Sequence, residues 1–210
     1  MASLRRQTVL ELVGGLKAFV NLELGVTRGQ VPGLPEKWGK ARPGKPLQEL
    51  RREAFLGTLE TLKTGRLLDL GCGKGGFALA ARDLGWEVTA VDSQAESMPP
   101  APGIDWVRAD ISRFEVGDYE CIRLYGALYD LGPREQLGLL QRCSGSPTVI
   151  EARVLPRPDR EEHGYEGRTV EGSFWPTEKA LIRMARDSGF SAVSKIDGPR
   201  VPDRSLYLCT

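Results

Sequence analysis

Apolar residues recur at helical spacing from Ser3 to Leu24, through Val9, Leu10, Leu12, Val13, Leu16, Phe19 and Val20. The pattern then stops. Gly25 to Gly44 holds five glycines together with Pro32, Pro35 and Pro43, and that composition reads as a loop. Pro46 suits the first position of a second helix, whose apolar face is Leu47, Leu50, Ala54, Leu59 and Leu62 and which ends near Gly65. From Arg66 onward the rhythm is different. Short apolar runs at Arg66–Leu70, Glu87–Val91, Ile104–Val107, Tyr119–Leu124 and Thr148–Ala152 predict strands. Helices over Gly75–Leu84 and Pro133–Cys143 fall between them, and a further helix runs from about Thr177 to Ser188. The last two strands, Ser191–Ile196 and Ser205–Cys209, are joined by the eight residues Asp197 to Arg204, too few for a helical crossover, so they form an antiparallel hairpin. The sum is an α/β fold: a single doubly wound, mostly parallel seven-stranded sheet with helices on both faces and a C-terminal antiparallel hairpin.

Composition narrows the class. With 210 residues, 40% hydrophobic and 27% charged, the chain is one well-cored domain and not a disordered segment. Lys plus Arg is 29 against 28 for Asp plus Glu, so the net charge of +1 selects neither a polyanion nor a polycation as partner. Four cysteines (Cys72, Cys121, Cys143, Cys209) without C-x-x-C spacing, and a single histidine, leave almost nothing from which to build a metal site. Scattered thiols suit a reducing, cytoplasmic setting. No apolar run reaches the roughly 18 residues that a membrane span requires.

The most informative segment is Leu67-Leu68-Asp69-Leu70-Gly71-Cys72-Gly73-Lys74-Gly75-Gly76-Phe77. A buried strand enters a turn of little side-chain bulk and leaves as a helix. Glycines there permit positive φ and let a ligand lie against the backbone, while the first free N–H groups of the helix favour an anionic or strongly polar group. A tight turn with no ligand is the plainer alternative. Two further carboxylates favour the ligand: Asp92 ends the second strand of this unit, 19 residues after Gly73, and Asp110 follows the third in Val107-Arg108-Ala109-Asp110-Ile111. Asp69, Asp92 and Asp110 therefore converge at the carboxyl ends of neighbouring strands, where open α/β sheets bind ligands. Gly71, Gly73 and Gly76 also satisfy G-x-G-x-x-G, the nicotinamide-dinucleotide signature. Against that reading stand the charge of Asp69 next to a pyrophosphate, the terminal hairpin, and the lack of chain for a second substrate domain.

Leu67 to Phe77, Val88 to Asp92, Ala109-Asp110-Ile111 and the terminal hairpin resemble the class I S-adenosylmethionine-dependent methyltransferases, over roughly residues 46–210. The resemblance implies residue roles. Gly71, Gly73 and Gly75 would lie under the methionine moiety and Asp69 would help hold its amino group. Asp92 would bind the ribose hydroxyls, Asp110 the adenine amino group, and the Ile111 backbone the ring edge. The family's fourth motif would fall within Tyr119–Leu131, with Leu124, Tyr125 and Gly126 walling the sulfonium; Arg123 is a charged residue in that otherwise apolar strand.

The sulfonium methyl is already electrophilic, so the protein has to supply an aligned nucleophile, exclusion of water and sometimes a base. Candidates are Tyr129 and Asp130 after the fourth strand, Glu151 and Arg153 at the end of the fifth, and His163, Tyr165 and Glu166 in the loop beyond. Tyr129, Glu151 and His163 are the catalytic candidates. Each has a plainer alternative: Glu151 and Arg153 share a strand face and could pair, Asp130 could cap the next helix, and a lone loop histidine is commonly just solvated. Seven basic residues lie between Arg28 and Arg52, against Glu36 and Glu49; the resemblance implies that the segment before the first motif, residues 1–45, is a helix and basic loop covering the active site. A solvated loop is the alternative. Trp38 or Trp175 could stack on an aromatic acceptor or anchor its loop. Arg153 to Trp175 reads as a long structureless lid of near-balanced charge. Leu124-Tyr125-Gly126-Ala127 is unlike the Asp/Asn-Pro-Pro-aromatic run of amino-directed DNA methyltransferases, and no Pro-Cys stands there, so DNA is not the expected acceptor.

The expectation is a monomeric or homodimeric enzyme that methylates an O or N atom of a small anionic or aromatic metabolite. RNA, as a modified tRNA nucleoside, is the alternative acceptor; a non-catalytic S-adenosylmethionine-binding regulatory module is the alternative of another class, and a dehydrogenase stands last.

Overall fold

The computed structural model describes residues 26–29, 47–94, 101–156, 160–196 and 204–210. The helix expected over Ser3–Leu24, Trp38, Pro46 and most of the basic loop lie outside these residues.

Along the chain the elements are β1 (Val26–Gly29), α1 (Leu47–Leu59), β2 (Arg66–Leu70), α2 (Gly76–Asp83), β3 (Glu87–Asp92), β4 (Ile104–Arg108) and β5 (Cys121–Tyr125). A 3-10 turn at Leu128–Asp130 leads to α3 (Pro133–Cys143) and β6 (Thr148–Arg153). Then come β7 (Arg160–Glu162), β8 (Tyr165–Val170), β9 (Ser173–Pro176), α4 (Glu178–Asp187), β10 (Val193–Ile196) and β11 (Arg204–Cys209). The main sheet has the order β1-β10-β11-β6-β5-β2-β3-β4. Its pairings are parallel except for the two made by β11, with β10 and with β6. This is the doubly wound sheet with a terminal antiparallel hairpin that the strand pattern predicts.

Strand alternation sends residues to two cores. On one face, Leu68, Leu70, Ile122 and Leu124 pack with Leu139 and Leu140 of α3 and Leu181 and Met184 of α4. On the other, Leu67, Val88 and Cys121 pack with Ala54, Phe55 and Leu59 of α1 and Ala78 and Ala81 of α2. Helix α1 buries Leu50, Arg51, Ala54, Phe55, Thr58 and Leu59, one helical face, so Arg51 is directed inward with the apolar residues. Thr177 caps α4, its hydroxyl accepting from the Ala180 N–H at 3.1 Å.

Two stretches read as loops are strands. Val26–Gly29 adds an eighth strand at the sheet edge, parallel to β10, in a segment whose glycines and prolines argue against regular structure. Four residues of edge pairing need backbone hydrogen bonds only, so local propensity is a weak guide there. The stretch Arg153–Trp175 contains a separate antiparallel sheet, β7-β8-β9. Its two-residue turns, His163-Gly164 and Glu171-Gly172, have positive φ at both positions (51° and 84°; 51° and 87°), the form that matches hairpin twist.

The chain crosses from one side of β2 to the other between β4 and β5. The carboxyl ends of β2 and β5 therefore flank a crevice where ligands of such sheets bind.

Candidate functional site

The turn from β2 to α2 forms the floor of that crevice. Gly71, Gly73 and Gly75 have φ of 72°, 53° and 70°. The N–H groups of Gly71 and Cys72 both donate to the Val91 carbonyl, at 2.8 and 3.0 Å, tying the turn to β3. A side-chain carbon on Gly73 would have nothing within 4 Å, so the backbone at this point faces open space. Asp92, at the end of β3, accepts from the Gly73 N–H at 2.8 Å and from the Gln94 N–H at 2.9 Å. Each carboxylate oxygen has further lone-pair capacity, so these bonds orient Asp92 without exhausting it. Asp110 is exposed beyond β4 and accepts from the Ser112 N–H at 2.9 Å; that backbone bond is the main cause holding its carboxyl below the usual range. Ile111 reaches the Gly71 side of the turn: a side-chain carbon there would lie 3.9 Å from Ile111 Cδ1.

Asp69 has a partner the sequence does not advertise. It lies opposite Arg123 in the β2–β5 register, on the same face, and the two side chains form an ion pair. Asp69 is fully buried and Arg123 is 2% exposed. Burial pushes the Asp69 carboxyl up, while the adjacent guanidinium acts in the opposite direction. The Arg123 guanidinium sits 3.8 Å from the Phe77 ring centre, 4.7 Å from Tyr125 and 5.5 Å from Phe55. Those three rings meet edge to face at 5.5 to 5.6 Å. One oxygen of Asp69, Oδ2, has no hydrogen-bond partner. The sequence signal was a charge set among apolar residues in each of two strands, Asp69 in β2 and Arg123 in β5, of opposite sign.

Further along the same edge, Glu151 of β6 is 2% exposed. Arg51 donates to it in a fork, Nε to Oε1 and Nη2 to Oε2, both at 2.8 Å. Arg204, which opens β11, donates from Nη1 to Glu151 Oε2 at 3.0 Å and from Nη2 to the Tyr129 hydroxyl at 3.1 Å. Burial works against the charge of Arg204, but the Tyr129 hydrogen bond and the Glu151 carboxylate outweigh it and raise its pKa. Gly126, with φ of 69°, makes room for the cluster: a side-chain carbon on it would lie 2.8 Å from Arg51 Nη2 and 3.2 Å from Arg204 Nη1. Arg153 does not pair with its strand neighbour Glu151; its guanidinium lies 4.7 Å from the Trp175 ring centre and 5.9 Å from that of Tyr129, and its Nε has no hydrogen-bond partner. Tyr125, between the two ion pairs, is buried, and burial is the leading cause lifting its phenol well above the ordinary value.

Tyr129 and Glu151 are thus brought together, and Arg51 and Arg204 join them. His163 is not. It is exposed at the tip of the β7–β8 hairpin, and Tyr165, two residues on, donates to Asp187 in the last turn of α4 at 2.9 Å. Thr177, at the other end of α4, bridges to Leu155 just beyond β6. The Thr177 N–H also donates to the Glu166 carbonyl at 2.8 Å, so the β8 backbone three residues after His163 lies against the start of α4. Asp130 belongs to the 3-10 turn, and Gly132 caps α3 instead, its N–H donating to Glu135 at 2.9 Å. Among the described residues, no group of three or more His, Cys, Asp or Glu is set to hold a metal ion, and no helix is long and apolar enough to cross a membrane.

A doubly wound sheet whose switch point carries a glycine turn beside strand-end carboxylates defines a domain for a nucleoside-containing cofactor. The family described as "Methyltransferase domain" matches residues 39–195, and the chain belongs to it. A malonyl-[acyl-carrier protein] O-methyltransferase of Enterobacter lignolyticus is 34% identical over 102 residues, 45% of this chain and 38% of that enzyme. The match thus spans well under half of that relative's length. The glycopeptide N-methyltransferase MtfA is similar in structure at 17% identity and a TM-score of 0.59, with 81% of this chain and 92% of that chain covered. Human N-acetylserotonin methyltransferase in complex with SAM superposes with a TM-score of 0.53 at 15% identity, covering 81% and 62%. S-adenosylmethionine, the cofactor of methyltransferases of this fold, fits the residues present. The Gly73 backbone is open to a ligand, Asp92 is held beside it, and Asp69 keeps a buried acceptor oxygen unused.

Proposed function

We propose that the chain is an S-adenosylmethionine-dependent methyltransferase acting on an O or N atom of a small anionic or aromatic metabolite. The observation that carries the reading is the cluster of Arg51, Arg204, Tyr129 and Glu151 beside the glycine turn, at the carboxyl edge of the sheet. The cofactor supplies a sulfonium-activated methyl group. Gly71, Gly73 and Gly75 support its methionine end, Asp92 binds its ribose hydroxyls, and Asp110 with the Ile111 backbone reads its adenine. Asp69 contributes Oδ2 to its amino group while Arg123 keeps the other oxygen. Tyr125 and Gly126 wall the reacting centre, and Tyr129 with Glu151 lies on the acceptor side. His163, exposed at the tip of the β7–β8 hairpin, is given no part in the chemistry.

RNA is the second reading. It rests on the basic residues between Arg28 and Arg52, yet Arg51 spends its charge on a buried carboxylate instead of presenting it to a phosphate backbone. That favours the metabolite.

The test is calorimetry followed by a screen. S-adenosylmethionine binds and NAD does not; a metabolite that raises the melting temperature only with the demethylated cofactor present then gains one methyl mass with the methyl donor. Failure of S-adenosylmethionine to bind would remove the reading. A steep loss of RNA binding with salt, alongside methylated RNA, would move it to RNA.

A further inference from the structure

A cavity of about 550 Å³ opens between the end of β6, β8, the start of α4 and the start of β11, a volume that takes a small molecule. Val154, Leu155 and Pro156 give it an apolar side, and Glu166, Glu178, Lys179 and Arg204 set charges of both signs around the rest. Arg204 ties the cavity to the cofactor crevice, because a side-chain carbon on Gly126 would lie 3.2 Å from its Nη1.

These charges are not equally available. Glu178 is taken: Lys195 of β10 donates to both of its oxygens, at 2.9 and 2.8 Å. Arg204 is partly taken. Glu151 and Tyr129 accept from it and the Asp130 carboxylate acts on it as well, yet two hydrogen bonds leave other N–H groups of a guanidinium unused. Glu166 is half-buried, and its carboxylate has no ion pair or hydrogen bond among the described residues. The residue directly across the β7–β8 pair from it is another carboxylate, Glu161. Lys179 is exposed and likewise has no ion pair among the described residues. The cavity thus offers one open carboxylate on one element and open cationic donors on two others.

A ligand with an acid group alone would bring like charge to Glu166, and an amine alone would bring it to Lys179 and Arg204. A neutral ligand would take water from both signs and replace it on neither. A ligand with both charges meets each with its opposite. We infer that the methyl acceptor is a dipolar molecule of the amino-acid type. Its ammonium pairs with Glu166, its acid group with Lys179 and the spare N–H groups of Arg204, and its apolar part lies against Val154, Leu155 and Pro156. The inference rests on the methyltransferase reading and narrows its substrate. Glu166 is then a specificity-determining residue, which gives the β7-β8-β9 sheet a part in the site.

The experiment uses the full chain saturated with S-adenosylhomocysteine, whose binding is first measured by calorimetry. The probes are L-leucine, L-phenylalanine and L-tryptophan, each beside the deaminated acid and the decarboxylated amine of the same frame. At least one free amino acid is expected to raise the melting temperature and to bind about tenfold or more tightly than both of its singly charged counterparts, the scale of one charged hydrogen bond. With S-adenosylmethionine that amino acid gains one methyl mass. If none of the three binds, if an acid or amine binds as tightly, or if the bound amino acid gains no methyl, the inference is overturned and the methyltransferase reading stands. Failure to bind S-adenosylhomocysteine overturns both. Glu166→Gln, with an unchanged Kd for S-adenosylhomocysteine, should weaken the amino acid about tenfold and leave the deaminated acid no weaker than before. An equal loss for both, or no loss for either, overturns the assignment of Glu166.

Discussion

Replacing Arg123 by Met leaves the Asp69 carboxylate in the interior with no cation beside it. Asp69 is fully buried, so bulk solvent does not reach its carboxylate. Breaking one partner of such a buried pair costs about 3–5 kcal/mol, because the remaining charge is uncompensated. For a chain of 210 residues each kcal/mol lowers Tm by roughly 2–4 °C, so the variant should melt roughly 6–20 °C below the parent. The loss has a pH sign. In the variant the folded Asp69 holds its proton to higher pH than the unfolded chain, whose aspartate ionises near 3.9. Between those two values the unfolded state binds fewer protons, so stability falls as pH rises and the deficit is larger at pH 7 than at pH 4. Asp69→Leu combined with Arg123→Met removes both charges and should recover most of the loss, since apolar replacements of buried pairs are often near neutral. Urea unfolding of the parent, the single variant and the double variant measures all of this. A single variant within about 1 kcal/mol of the parent at pH 7, or a double variant as unstable as the single, would show that the pair does not govern this part of the sheet.

Asp92→Ala should weaken S-adenosylmethionine binding by about 1.5–3 kcal/mol, the scale of charged hydrogen bonds, and unchanged affinity in calorimetry removes the ribose role. Gly73→Val meets no protein atom but forces a β-branched residue to φ 53° and fills the open space above the turn. Its expected signature is a folded protein, destabilised by about 1–3 kcal/mol, with no detectable cofactor binding; a variant that still binds puts the ligand elsewhere. All four cysteines are free and buried, and burial pushes Cys72, Cys143 and Cys209 up to about 12. A thiol-disulfide reagent at pH 8 should therefore leave the folded protein unmodified and titrate four thiols in denaturant. A thiol reacting within seconds in the folded state contradicts that.

The sheet was legible because its central strands, β2, β5 and β6, are almost wholly buried and mostly apolar, and its helices carry clear stops, such as Gly65, Gly85 and Gly189. The β7-β8-β9 sheet was not. Its strands are rich in charge, in Arg160-Glu161-Glu162 and Glu166-Gly167-Arg168, so no alternation of apolar residues marks them. Both turns follow the X-Gly form, but with His and Glu in the place where Asn or Asp gives the familiar cue. The edge strand β1 fails for a related reason: its pairing with β10 is a matter of backbone geometry.

At the site, sequence position gave each residue an address at the carboxyl edge but not its partners. Parallel register supplies those. Asp69 meets Arg123 across β2 and β5, and Tyr125 meets Glu151 across β5 and β6. Because every one of these side chains points to the α1 face, the polar row continues into α1, where Arg51 occupies a position that helical periodicity assigns to the core. Both carboxylate oxygens of Glu151 are engaged by guanidinium hydrogen bonds, two from Arg51 and one from Arg204. Those bonds make Glu151 an anchor for both arginines. They hold the guanidiniums against the Gly126 backbone, beside the expected wall of the sulfonium, where an anion would find two fixed cations. The contrast with Asp69 and Arg123 is in what each joins: that pair ties two neighbouring strands, whereas Glu151 ties β6 to α1 through Arg51 and to β11 through Arg204.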